Sequence, residues 1–211
     1  IVEEGRLTAV GAKEQMPIPP GASLIDLSDK VILPGLIDAH VHLDGWRDLN
    51  DWSATILTPV ALAALRAVGD AHKLLKAGFT SVRCVGSSAS IYLKQAIEEG
   101  AIPGPRIKAA GRALCLTSGV ADCWPMPLDC MIAANRLGQG GGELVDGCDE
   151  IRKAVRRRRR EGAEVIKFFS TGAVLSKENP MRSAGYSPEE IRVLVNEAHR
   201  QGLKVACHAI S

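Results

Sequence analysis

Apolar and polar positions alternate between two rhythms along this chain. Val31, Ile32, Leu33, Leu36 and Ile37 form an apolar run, and the strand they predict ends at His42. Over 58–77, Val60, Leu62, Ala63, Leu65, Val68, Ala71, Leu74 and Leu75 recur at helical spacing, and Gly78 closes that helix. Thr80–Val85 reads as a second strand, 89–99 as a helix closed by Gly100, and Ile107–Ala110 as a third strand. Asp149 can cap a helix that runs to Glu161 and stops at Gly162. Val165–Phe169 is a fourth strand. Ser187-Pro188 opens a helix with Ser187 as cap and Pro188 at the first helical position, and Lys204–His208 is a fifth strand.

Two stretches break this rhythm. Residues 1–30 predict short strands with turns: a hairpin turn at Glu3–Arg6, Leu7–Val10 as a strand, a loop at Pro17–Gly21, and Leu24–Leu27 as another strand. That is too little chain for a domain and reads as part of a small β-domain. Residues 111–147, with Pro125, Pro127 and Gly138–Gly142, predict a long loop, which inside a compact domain is more often functional than filler. Regular strand–helix alternation from residue 31 onward argues for a parallel sheet with helical crossovers.

With 211 residues, 46% hydrophobic and 24% charged, the chain can bury a sizeable core. A net charge of +2 gives no strong pull toward nucleic acid or membrane. The apolar runs fall short of the ~18 residues of a membrane span. The opening Ile1–Gly5 has neither an initiator Met nor a signal segment, so the chain reads as starting partway through a longer protein. A cytoplasmic location is favoured, with secretion the alternative if a signal peptide has been removed. Six cysteines without C-x-x-C spacing read as buried free thiols, and a bridge among Cys115, Cys123 and Cys130 stays open.

Candidate chemistry sits at strand ends. His40 and His42 are one residue apart, and alternate residues of a strand share a face, so both imidazoles can aim at one point and bind zinc or a similar divalent ion. Lys167 lies in the apolar strand Val165–Phe169, where an inward amine is costly unless paired, neutral or modified. The plainer reading is a lysine reaching a carboxylate at the rim. His208 ends the fifth strand, and alone it would read as a satisfied core histidine. His72 and His199 fall in predicted helices and read as structural or surface residues. The run Arg156–Arg160 has no interleaved aromatics and reads as a solvated, partly ion-paired outer face, not a nucleic-acid patch. Gly138–Gly142 lacks the Lys-Ser/Thr ending of a phosphate loop and reads as a flexible turn.

Leu33–His42, Ala77–Arg83, Glu164–Lys167 and Tyr186 through His208 together resemble the amidohydrolase superfamily, in its imidazolonepropionase-like branch with prolidase-like dipeptidases and ochratoxinase-type amidases. The resemblance implies an α/β, TIM-like (β/α)8 metal-dependent hydrolase barrel. About its first five strands would lie in 31–211, and 1–30 would be part of a small N-terminal β-sandwich domain. It also implies that His40 and His42 bind the more buried metal, that a carbamate from CO2 on Lys167 bridges two metals, and that His208 binds the second. Two zinc ions, or other divalent metals, are the implied cofactors. A sixth-strand histidine and an eighth-strand aspartate, the general base, would lie past Ser211.

The implied function is hydrolysis of an amide or peptide bond in a small substrate: a dipeptide, an N-acyl amino acid or an ochratoxin-like amide. A mononuclear deaminase or cyclic-amide hydrolase on the same barrel is the alternative, as is an incomplete fragment that acts by association. The partners expected are a small-molecule amide, and a further copy or the missing C-terminal half. Departures from the family pattern fall in Arg83-Cys84, where relatives carry Arg-Asp, in Ser118-Gly119-Val120, where relatives carry Gly-Gly-His, and at Ala173, where a second Gly is usual.

Overall fold

A computed structural model describes residues 1–48, 51, 53–174 and 176–211. They form two compact units, 1–34 and 35–211.

In the first unit, β1 (Val2–Glu3) and β2 (Arg6–Leu7) pair antiparallel. Glu4 and Gly5 both take positive φ (49° and 75°), the two-residue turn whose twist suits a hairpin. Leu24–Leu27 is not a strand. Asp26 Oδ1 instead accepts from the Ser28 amide at 3.0 Å, and the Lys30 amide donates to Leu27 O at 2.9 Å. Such local turns compete with ladder formation where no partner strand lies alongside.

The second unit alternates strand and helix. In order come β3 (Leu36–Val41), α1 (Ser53–Leu57), α2 (Val60–Lys76), β4 (Phe79–Cys84), α3 (Ala89–Glu98), β5 (Arg106–Ala109), β6 (Ala113–Cys115), α4 (Leu128–Arg136), β7 (Gly142–Leu144), α5 (Gly147–Glu161), β8 (Val165–Phe169), α6 (Pro188–Arg200) and β9 (Lys204–His208). All pairings among β3–β9 are parallel, in two sheets of order β3-β4-β5 and β7-β6-β8-β9. The Glu164 amide donates to Ala109 O at 2.9 Å, and Lys108 pairs with Glu164, tying the start of β8 to the end of β5.

Helices cover one face of each sheet. Val82, Cys84, Ile107 and Ala109 pack with Ala67, Ala71, Ile91 and Leu93. Leu114, Ile166 and Phe168 pack with Ile151, Val155, Leu194 and Ala198. The opposite strand face carries Ser81 and Arg83 on β4, Arg106 and Lys108 on β5, and Lys167 on β8. Among the described residues, no helix is long and apolar enough to cross a membrane.

The structure corrects four further expectations. Residues 111–147 are not one loop: they hold β6, α4 and β7, because Met131 and Ala134 bury against Ile56 and the Asn135 side chain bonds Gly142 O and the Leu144 amide. The helix ending at Glu161 starts at Gly147, with Asp146 as its N-terminal neighbour. Asp149 lies inside the first turn, and the Asp146 carboxylate is taken up by Thr117 N and Oγ1. All six cysteines are free, but only Cys84 and Cys115 are buried. Finally, Arg158 is not solvated. It follows Ile151, Ala154 and Val155 at helical spacing on the inner face of α5, is 1% exposed, and pairs with Glu143 and Glu161.

Glu197 of α6 fastens α5 to α6. Buried at 3% exposure, it accepts from Arg156 Nε at 2.7 Å, Arg200 Nη1 at 3.3 Å and Gln201 Nε2 at 3.2 Å. The Arg156 guanidinium holds its carboxyl below the usual range. A carboxyl lowered in the folded state contributes stability above its unfolded pKa, and that contribution fades as pH falls through the folded value. Glu197→Ala should therefore cost about 1–3 kcal/mol at neutral pH. The gap from wild type in denaturant unfolding should shrink on acidification.

Candidate metal centre

β3 and the residue after it present His40 and His42 with ring centroids 5.4 Å apart. The pairing of β3 with β4 shifts register between Asp38 and Val41, and the Asp38 carboxylate accepts from the His40 amide at 2.9 Å. The chain just past His42 is fixed on both sides: the Leu43 amide donates to Cys84 Sγ at 3.3 Å, and Ser87 Oγ donates to Leu43 O at 2.6 Å. His42 Nδ1 lies 3.1 Å from Gly86 O. A carbonyl can only accept, so Nδ1 is the donor in this contact and Nε2 is the nitrogen left to face a metal.

β8 and β9 run in register, with Lys167 opposite Ala206 and Phe169 opposite His208. Lys167 and His208 thus stand two positions apart on one sheet face. Lys167 is 3% exposed, and among the described residues its amine has no hydrogen-bond or ion-pair partner. Its Nζ lies 5.5 Å from the Phe169 ring centroid. The plainer reading of Lys167 as a rim lysine on a carboxylate is therefore not what the structure shows. His208 Nε2 lies 3.2 Å from Gly172 O, so by the same reasoning Nδ1 keeps the lone pair.

Electrostatics join the two halves. Burial first, and then the neighbouring Lys167, His42, His208 and Arg83, hold His40 below its ordinary pKa. Burial and then Lys167 do the same to His208, against an opposing bond from Gly172. Burial lowers Lys167, with Arg83 adding to it and Cys207 opposing. Burial and like charges disfavour the protonated forms of His40, His208 and Lys167, and the uncharged forms are the ones that offer lone pairs. Among the described residues, no three His, Cys, Asp or Glu side chains could hold a metal ion by themselves. A centre completed within the described residues alone would have to draw on a donor such as Lys167 as well. A neutral lysine amine is the form that CO2 converts to a carboxylate, so neutral imidazoles and a deprotonation-prone amine fit a divalent metal set chemically.

Four contributors escaped sequence reading. The carbonyls of Gly86 and Gly172 orient two imidazoles, and no sequence signal marks a backbone acceptor. Arg83 Nε donates to Ala39 O at 2.8 Å, bracing the His40 strand. Asp44 has its pKa raised by burial and lies within electrostatic reach of His42. His-x-His-x-Asp spacing could have drawn attention to it. His72 and His199 sit in α2 and α6, as expected of structural residues.

The Amidohydrolase family model matches residues 31–211. Ochratoxinase from Aspergillus niger is 34% identical over 187 residues, which is 84% of this chain and 39% of that protein. Its crystal structure superposes with a TM-score of 0.78, over 83% of this chain and 42% of that one. A prolidase crystallised with N-methylphosphonate-L-proline is 37% identical with a TM-score of 0.80, over 93% and 48% of the two chains. A Xaa-Pro dipeptidase with methionine in its active site is 35% identical with a TM-score of 0.71, over 83% and 43%. The chain thus spans about two fifths of the curated ochratoxinase.

Gly86 takes φ +154°, and a Cβ there would stand 3.0 Å from His42 Nδ1. Gly86→Ala should turn the His42 ring and lower metal affinity by roughly 10–100-fold, the usual effect of disturbing a ligand's outer partner. Competitive metal titration measures this directly.

Proposed function

The chain belongs to the amidohydrolase family, on its ochratoxinase- and prolidase-like branch, and we propose that the full-length protein is a metal-dependent hydrolase of amide bonds in small substrates. The observation that carries this reading is the buried Lys167 without a hydrogen-bond or ion-pair partner among the described residues, within electrostatic reach of His40 and His208, with His42 beside His40. His40 and His42 would hold one divalent ion, His208 a second, and carboxylated Lys167 would bridge them. Zinc or a similar ion supplies Lewis acidity toward the scissile carbonyl and makes a water acidic enough to serve as nucleophile at neutral pH.

The chain's own residues prepare this centre. Burial lowers the Lys167 pKa, which favours the uncharged amine whose lone pair would attack the carbon of CO2. A C–N bond forms, one proton leaves to solvent, and an anionic carboxylate remains. Gly86 and Gly172 fix which imidazole nitrogen carries a proton, so that the other stays available. Ser87, Cys84 and Arg83 hold the strand end that carries His40 and His42.

We place closure of the (β/α)8 barrel, the remaining second-site histidine and the general-base aspartate in the part of the longer protein outside these residues, and 1–30 in a small β-sandwich. The substrate class follows the branch: the prolidase and dipeptidase relatives carry a proline phosphonate and methionine, which favours a dipeptide or N-acyl amino acid with a free carboxylate.

The full-length protein should hydrolyse such amides, lose the activity to a chelator and regain it with zinc. His40→Ala with His42→Ala should lower kcat/KM by more than about 100-fold, because even outer-shell partners are worth 10–100-fold. Full activity in a metal-free preparation of that double variant would overturn the reading.

A further inference from the structure

Away from the four candidate ligands, α4, β7 and α5 enclose a groove of about 440 Å³. Arg112, Arg136 and Arg157 line it, with apolar walls from Ile132, Leu137 and Leu144. Its charges do not balance. Glu143 alone accepts from Arg112, Arg157 and Arg158. Glu161, the other carboxylate at the groove, is paired with Arg158. Three guanidinium groups thus share two carboxylates, with Arg136 beside them.

Free donors remain. Arg112 is 8% exposed, yet its Nη1 is buried with no hydrogen-bond partner among the described residues. Arg136 is exposed, and among the described residues its guanidinium has neither a hydrogen bond nor an ion pair. Burial, and then the neighbouring Arg158 and Arg157 charges, pull Arg112 down to about 10, which registers the same surplus of positive charge. A buried guanidinium edge left unsatisfied is costly, and guanidinium groups bind planar or tetrahedral oxyanions through paired N–H donors.

We propose that this groove is an anion site for a phosphate group, held by Arg112, Arg136 and Arg157, with the Ile132–Leu137–Leu144 wall available to an apolar ester substituent. The site does not depend on the metal-centre reading, since none of His40, His42, Lys167 or His208 lines it.

Calorimetric titration of the full-length, chelator-treated protein tests this, with inorganic phosphate and phenyl phosphate as probes and chloride at matched ionic strength as control. Removing metal first excludes phosphate binding at the metal centre. Saturable binding of either phosphate, absent with chloride, is expected. Tighter binding of phenyl phosphate identifies an ester as the preferred ligand, and equal binding identifies free phosphate. Arg136→Gln with Arg157→Gln, both exposed and so tolerated by the fold, should weaken binding by about tenfold or more with little change in thermal midpoint without phosphate. Arg112→Gln should weaken it further if the variant folds. No phosphate-specific binding, or unchanged affinity in the Arg136/Arg157 double variant, overturns the proposal.

Discussion

The in-register parallel pairing of β8 with β9 is the constraint on which the candidate centre depends. It places Lys167 opposite Ala206 and Phe169 opposite His208, so a lysine and a histidine share one sheet face while Ile166 and Phe168 face the helices. A one-residue slip would turn Lys167 into the apolar core and Ile166 out of it. The register is held from the core side, where Leu114, Ile166, Phe168, Leu194 and Ala198 pack as one cluster. Packing free energy on one face thus maintains an electrostatically expensive arrangement on the other.

That expense is informative. A lysine at 3% exposure without a carboxylate partner is destabilised in its charged form by burial, and Arg83 adds to that cost. A purely structural lysine would be expected to gain a partner or reach solvent. By contrast, the buried Arg158 on α5 is paired twice over, with Glu143 and Glu161. The same chain therefore pairs one buried cation twice and leaves Lys167 without a partner among the described residues.

Much of this was legible in the sequence where a local rule and the tertiary context agree. The Ser187-Pro188 helix start appears with both halves of its capping box, and the strands around Lys167 and His208 appear where their apolar runs put them. Legibility ended where long-range partners decide. Leu24–Leu27 is apolar enough for a strand but bonds locally instead. Asp146 is spent on Thr117, a contact across 29 residues that no local pattern contains. Arg158 looked like one more surface arginine until its alignment with Ile151 and Val155 on α5 met Glu143 of β7. The metal-ligand candidates were readable because they sit on strands; the carbonyls that orient them were not, because any residue carries one.

At the centre of the proposed function is Lys167, whose pKa burial lowers and whose amine would become a carboxylate. The most direct measurement is 13C NMR of the full-length protein equilibrated with zinc and 13C-labelled bicarbonate. The account predicts a carbamate resonance that disappears in Lys167→Arg and persists in a variant of an exposed lysine such as Lys73→Arg. A metal-loaded wild-type protein without that resonance, with Lys167 titrating as an ordinary lysine, would contradict it.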